Sequence, residues 1–194
     1  EDAEKTSIFL ERMADFFRYN VRKTEEAATL AEEIETVDNY VYILNVRFAG
    51  DIHFEKQVAA DVGDVRLPSM ILQPIVENAV NHGIRNVEWE GHIWLTVTRQ
   101  KDAVLISIRD NGQGMTQERI LEVLERRVRQ ADSRTDSSGI GMDNVINRLE
   151  LFFGRKDLLQ ISSAGPKQGT QVCIRIPAEE KNDEDGRGEL CTEY

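Results

Sequence analysis

Between His92 and Ile108 the chain alternates: Ile93, Leu95 and Val97 stand two apart before "RQKD", and Val104, Ile106 and Ile108 stand two apart after it. Successive side chains of a strand point to opposite faces, so the pattern predicts a hairpin with one apolar and one polar face. That apolar face must be covered, and segments of helical spacing are available to cover it. Ile8, Phe9, Met13, Phe16 and Phe17 form one such stripe, and Ile34, Val37, Val41 and Leu44 form a second, behind a capping box of Thr29 and Glu32. "RLPSMILQPIVENAVNHG" reads as a third helix, opened by Pro68 and closed by Gly83, and Val145, Ile146, Leu149 and Phe152 as the core stripe of a fourth. Further strands are expected in "IHFEKQV", "LLQISS" and "TQVCIRIP", the last two as a closing hairpin. The order predicts an α+β fold: a two-layer α/β sandwich whose mixed sheet is covered on one face, with an N-terminal helical extension.

A chain of 194 residues with 40% hydrophobic content builds one substantial core and a short appendage. We expect a helical stub over residues 1–48, a main domain over 49–177 and an acidic, disordered tail over 178–194. The net charge of −11 argues against nucleic acid or an anionic membrane surface as partner. Much of that charge lies in the tail, where seven acids face only Lys181 and Arg187. Cys173 and Cys191 have no metal-ligand spacing, which fits a reducing, cytoplasmic setting. No apolar run approaches the roughly 18 residues that a membrane crossing needs.

Three polar sites interrupt this pattern. At about 100° per residue, Asn78 and His82 share a line at the edge of the apolar face of "MILQPIVENAVNHG", while Glu77 points to solvent. An amide oxygen at such an edge suits Mg²⁺, which takes hard oxygen ligands and is commonly shared with phosphates; a plain side-chain hydrogen bond is the alternative. Asp110 leaves the second hairpin strand in "RDNGQGM", where Gly112 and Gly114 permit a close backbone approach and the carboxylate can accept from an exocyclic amine. A simple strand-ending turn explains the same residues. Gly139 and Gly141 in "SSGIGM" precede a helix, so backbone amides and the positive helix end can face an anion, or the glycines are only a flexible lead-in.

The order of these sites is more specific than any one of them. Glu-Asn-Ala in a helix, Asp-x-Gly-x-Gly after a strand pair, Gly-x-Gly opening a helix and Gly-Thr entering a last strand together resemble the asparagine and glycine boxes of the GHKL (Bergerat) ATPases. "LAEEIETVDNYVYILNVRF", "LPSMILQPIVENAVNHGI", "DNGQGM" and "GIGMDNVINRLELFFG" are similar to the catalytic region of sensor histidine kinases of the LytS type, over about residues 10 to 177. The resemblance implies a Bergerat ATP-binding fold and ATP with Mg²⁺ as cofactors. It implies that Asn78 binds Mg²⁺ and the phosphates, with Asn81 and His82 in the same groove. Asp110 would read the adenine amine, Gly112 and Gly114 would shape the adenine pocket, and Thr170 would support Asp110. Gly139 and Gly141 would let the lid backbone approach the phosphates.

The implied activity is transfer of the γ-phosphate of ATP to a histidine and thence to a response regulator, in a parent that is a membrane-anchored homodimer with this part in the cytoplasm. The acceptor of that family precedes a "RYNVRK"-like segment; here "FFRYNVRK" spans 16 to 23 and no histidine comes before it, so the acceptor is expected upstream. Pro74 stands four residues before Asn78, where gyrase-like members carry a water-activating glutamate, which favours a transferase over a hydrolase. The stretch from Met115 to Ser138 holds no phenylalanine, and its arginines Arg126, Arg127, Arg129 and Arg134 read as a solvated helix face; Arg148 is expected to pair with an acid. Two other functions share the same cradle: a protein-serine kinase of the anti-sigma type, and a nucleotide-dependent interaction module.

Overall fold

The computed structural model describes residues 2–21, 27–48, 52–85, 87–129 and 140–177. Its elements are α1 (Asp2–Val21), β1 (Ala27–Thr29), α2 (Leu30–Arg47), β2 (Ile52–Val58), β3 (Arg66–Pro68), α3 (Leu72–Asn78), a π-helical turn (Ala79–Ile84), β4 (Gly91–Arg99), β5 (Ala103–Asp110), α4 (Gln117–Arg129), α5 (Ile140–Phe153), β6 (Leu159–Ser162) and β7 (Gln171–Pro177). The mixed sheet runs β2-β4-β5-β7-β6, with only β2 and β4 parallel.

The alternation that predicted the hairpin also aligns its register. Leu95 pairs with Ile108 and Val97 with Ile106; Ile106 and Ile108 then pair with Ile174 and Val172 of β7. An unbroken apolar row thus crosses three strands on one face, and each fully buried aliphatic side chain contributes roughly 1.5–3 kcal/mol to holding it there. Leu30, Ile34, Val37 and Val41 of α2, the apolar side of α3 and Val145, Ile146 and Leu149 of α5 join the same core. Phe152, expected in the α5 stripe, is 38% exposed, and the next residue, Phe153, packs on the core instead. None of the described helices covers the opposite face of the sheet, most of whose residues, Trp94 among them, are half-buried or exposed.

Thr29 caps α2 as predicted, with a reciprocal bond between its backbone N–H and the Glu32 carboxylate at 2.8 Å. Pro68 does not open the third helix. It ends β3, which pairs with β1 in a small two-stranded sheet, and the chain turns through Met70 at φ 61° before α3 begins at Leu72. The helix start is fixed from outside. Glu33 of α2, 1% exposed, accepts from the amides of Met70, Ile71 and Leu72 at 2.6, 2.8 and 2.8 Å, and from the hydroxyl of Tyr19 in α1. One carboxylate therefore satisfies the first N–H of α3 and the two that lead into it, and ties three helices together. Burial, then the charge of Glu33, drives the Tyr19 phenol well above its usual range.

α1 packs along α2, with Phe16 stacked on Tyr40 at 5.9 Å and Arg12 donating to the buried Asn39 at 2.8 Å. Burial and the nearby Glu77 push Tyr40 up to about 12. None of the described helices is long and apolar enough to cross a membrane.

Candidate functional site

A cavity of about 530 Å³ opens between the sheet, α3 with its π-helical turn, and the starts of α4 and α5. Its floor is set by the core row of β5. Val104, Ile106 and Ile108 face inward, and two residues later so does Asp110, only 4% exposed and lining the cavity. The apolar alternation ends at Ile108, but the geometric alternation carries a carboxylate into the next core position. Asp110 Oδ1 accepts from the amides of Gly112 at 2.8 Å and Thr170 at 3.3 Å, so Oδ2 is the oxygen left to a ligand. Burial raises the carboxyl, while these two amides and Arg109 pull it back.

The glycines next to Asp110 are required by packing. A Cβ on Gly112 would lie 2.2 Å from the backbone carbon of Gly83, and Gly114 adopts φ 65° with its Cβ position 2.2 Å from the Gly165 oxygen. The loop is fixed by backbone bonds from Gln113 N to Gly83 O at 2.9 Å and from Gly169 N to Gly112 O at 3.1 Å. Ser163 closes it, accepting from Met115 N at 3.0 Å and donating to Gly169 O at 2.6 Å. Thr170 supports Asp110 through its backbone, and its carbonyl also accepts from Asp110 N at 2.9 Å.

Asn78 ends α3 and lines the cavity together with His82. Its side chain has no hydrogen-bond partner among the described residues, so the helix-edge hydrogen bond is not what occupies it. A half-buried, unengaged amide oxygen facing a cavity fits a Mg²⁺ ligand. Asn81 does not line the cavity; in the π-helical turn it lies off the line shared by Asn78 and His82. Gly141 sits in the first turn of α5, where its Cβ position is 3.7 Å from Asn78 Nδ2, an ordinary contact. The start of α5 is thus brought beside Asn78. Gly139, and the side chains of Arg126, Arg127, Arg129 and Arg134, lie outside the described residues. Arg148 pairs with no described acid; it donates to Ser69 O at 2.7 Å, steadying the turn ahead of α3.

Some cavity residues carry no signal in the sequence. Arg119 is the only lysine or arginine among the described lining residues, and it is held by Glu122 at 2.9 Å. Met115, Val123 and Met142 supply apolar wall, and Gln113 a polar edge. Asn111 is also unannounced: its side chain accepts from His92 N at 2.8 Å and donates to Glu90 O at 2.9 Å, pinning the Asp110 loop to the start of β4.

The family described as histidine kinase-, DNA gyrase B- and HSP90-like ATPases matches residues 63–180. The chain belongs to this family. The matched region includes Asp110 and the glycine loop, and the family is one of ATP-using enzymes. A second family, described as histidine kinase, matches residues 1–52, which include α1 and α2.

Among curated relatives, the sensor histidine kinase BtsS of Escherichia coli is 30% identical over 176 residues, covering 91% of this chain and 28% of the relative. The sensor protein LytS of Streptococcus agalactiae is 28% identical over 184 residues, covering 94% of this chain and 30% of the relative. The chain therefore spans under a third of the length of these proteins. Among solved structures, the mycobacterial sensor histidine kinase MprB superposes with a TM-score of 0.54 at 19% identity, covering 78% of this chain and 96% of that one. The catalytic domain of the histidine kinase ThkA gives 0.54 at 20% identity, covering 78% and 93%. Both are similar in fold.

Proposed function

We propose that this chain is the ATP-binding catalytic region of a two-component sensor histidine kinase. It would position Mg-ATP so that an imidazole nitrogen attacks the γ-phosphorus, the bond to the β-phosphate oxygen breaks and ADP leaves, after which the phosphoryl group passes to a response regulator. The observation that carries this reading is the pairing of two groups across one cavity. The buried Asp110 presents a free oxygen to an adenine amine, and Asn78, with an unengaged amide, stands beside the start of α5. Thr170 holds Asp110 through its backbone, and Gly112 and Gly114 let the loop close under the base. Gly139 and Gly141 would admit the phosphates at the helix end, with His82 on the rim.

Mg²⁺ at Asn78 would supply charge neutralisation on the β- and γ-phosphates. The chain's own residues supply position, which is most of what phosphoryl transfer requires. The acceptor is best sought outside the three histidines present. His82 lines the nucleotide cavity, and His53 and His92 stack on each other on the sheet face turned away from it. Pro74 packs within 4.0 Å of the Gly141 Cβ position, one turn before Asn78, and cannot act as a base.

The full-length protein is proposed to be a homodimer, because Leu10, Phe17 and Val21, spaced seven and four apart on α1, are 58%, 57% and 79% exposed while its other side packs on α2. The part described would lie in the cytoplasm, where ATP and the regulator are, with membrane anchoring left to other segments of the parent.

The deciding experiment adds labelled ATP and Mg²⁺ to a longer form carrying the upstream segment. Label that is acid-labile and base-stable supports the histidine kinase; acid-stable label marks a serine kinase instead. Binding without any label reduces the chain to an interaction module, and failure of the 194-residue chain to bind Mg-ATP removes all three.

A further inference from the structure

We propose that His53, Glu90 and His92 form a binding site for a zinc-class divalent metal ion on the uncovered face of the sheet, apart from the nucleotide cavity. The parallel register of β2 and β4 sets His53 directly opposite His92, and the two rings stack at 4.6 Å. Glu90 immediately precedes β4, and its Oε2 lies 3.8 Å from both His53 Nε2 and His92 Nε2. One atom from each residue thus falls within 4.8 Å of the others. Zinc bonded at about 2.0–2.2 Å places its ligands a little over 3 Å apart, so small side-chain rotations complete the set. His53 and Glu90, with side chains 47% and 80% exposed, are free to make them.

The third ligand is held and oriented. Asn111 bonds the His92 amide and the Glu90 carbonyl, fixing the separation of these two residues at the strand start. His92 Nδ1 is shielded from solvent and has no hydrogen-bond partner among the described residues, and Glu55 Oε1 stands 4.0 Å from it. An imidazole bound to metal through Nε2 carries its proton on Nδ1, and a carboxylate at that position is the usual outer partner of a zinc-bound histidine. An otherwise unexplained buried nitrogen thereby acquires a role. Two imidazoles and one carboxylate select borderline cations such as Zn²⁺, Ni²⁺ and Cu²⁺, whereas Mg²⁺ prefers all-oxygen sites.

The test is calorimetric titration of the metal-stripped, nucleotide-free 194-residue protein with Zn²⁺ in excess Mg²⁺. One equivalent is expected to bind. His53→Ala and His92→Ala should each weaken binding by roughly a hundredfold, and Glu55→Gln by about tenfold. Glu90→Gln, at the most exposed of the three positions, reports on the site without risk to the fold and should weaken binding as the histidine variants do. Cys173→Ser should change nothing. Unaltered Zn²⁺ affinity in Glu90→Gln and His53→Ala, loss of binding in Cys173→Ser, or competition by Mg²⁺ would each overturn the assignment.

Discussion

Glu33 on α2 holds the first amide of α3, accepting from Leu72 N at 2.8 Å across 39 residues of chain. The helix that ends in Asn78 is therefore positioned by a charge from another element. Glu33→Ala would leave the amides of Met70, Ile71 and Leu72 and the Tyr19 hydroxyl without their common acceptor, at a cost of about 3 kcal/mol. Glu33→Gln keeps the shape but loses the charge at the helix start and is expected to cost about 1–2 kcal/mol. Denaturant unfolding checks both, and a loss below 0.5 kcal/mol for Glu33→Ala would contradict the capping role.

Tyr19 gives that network a signature at high pH. Its native value is raised, so the fold favours the neutral phenol; this contribution is complete below the unfolded value of about 10 and is lost as pH rises above it. Stability should fall as pH rises from about 10 to 12 in the parent protein and fall less in Tyr19→Phe, with Tyr40, raised to about 12, supplying the residual slope. Parallel curves for the two proteins would count against it.

Asp110 behaves with the same sign at lower pH. Burial raises its carboxyl, so the native state binds more protons than the unfolded chain between about 3.9 and the raised native value, and stability declines as pH rises through that window. Asp110→Asn removes this decline while keeping an oxygen for the Gly112 and Thr170 amides, so the nucleotide-free domain should be at least as stable at pH 7. The new amide would present donors to the adenine amine, weakening ATP binding by about 2 kcal/mol, roughly thirtyfold in Kd. Paired thermal melts and ATP titrations decide, and ATP affinity equal to the parent's would refute the adenine contact.

Two glycines of the proposed cradle should respond differently. Gly112→Ala forces a Cβ to 2.2 Å from Gly83 backbone and should unfold the loop or the domain, whereas Gly141→Ala meets only ordinary contacts in α5. The latter is expected to raise stability by up to about 1 kcal/mol. If it nonetheless weakens Mg-ATP binding, glycine at 141 is needed in the nucleotide-bound lid.

Asn78→Ala removes a side chain with no described hydrogen bond. The melting temperature should stay within a few degrees of the parent's while Mg-ATP affinity drops at least about tenfold. A domain that melts on this change would restore the structural role of the amide.

What was legible in the sequence followed the range over which the signal acts. The β4–β5 hairpin and the Thr29–Glu32 box are local patterns with fixed periods, and both are present. β1 and β3, three residues each and paired across more than 35 positions, offer no period to read. Glu33 looks like one more acid in "LAEEIE", and only tertiary packing turns it inward. Asp110 was visible as the end of a strand, but its burial depended on continuing the alternation past the last apolar residue. The family resemblance implies that Asn81 shares the groove with His82, but Asn81, in the π-helical turn, does not line the cavity.

That wider turn makes the site vulnerable in a particular way. In the π-helical turn Arg85 N reaches back five residues to Val80 O at 3.0 Å, and Gly83 O accepts from Gln113. The turn holds one residue more than an α-helical ladder would need. Loss of a single residue between 79 and 84 would let the ladder revert, rotating Gly83 away from the Gly112 loop. For this nucleotide cleft, a one-codon deletion is more damaging than most substitutions, and an insertion of the same size is how such a turn could have entered an ordinary helix.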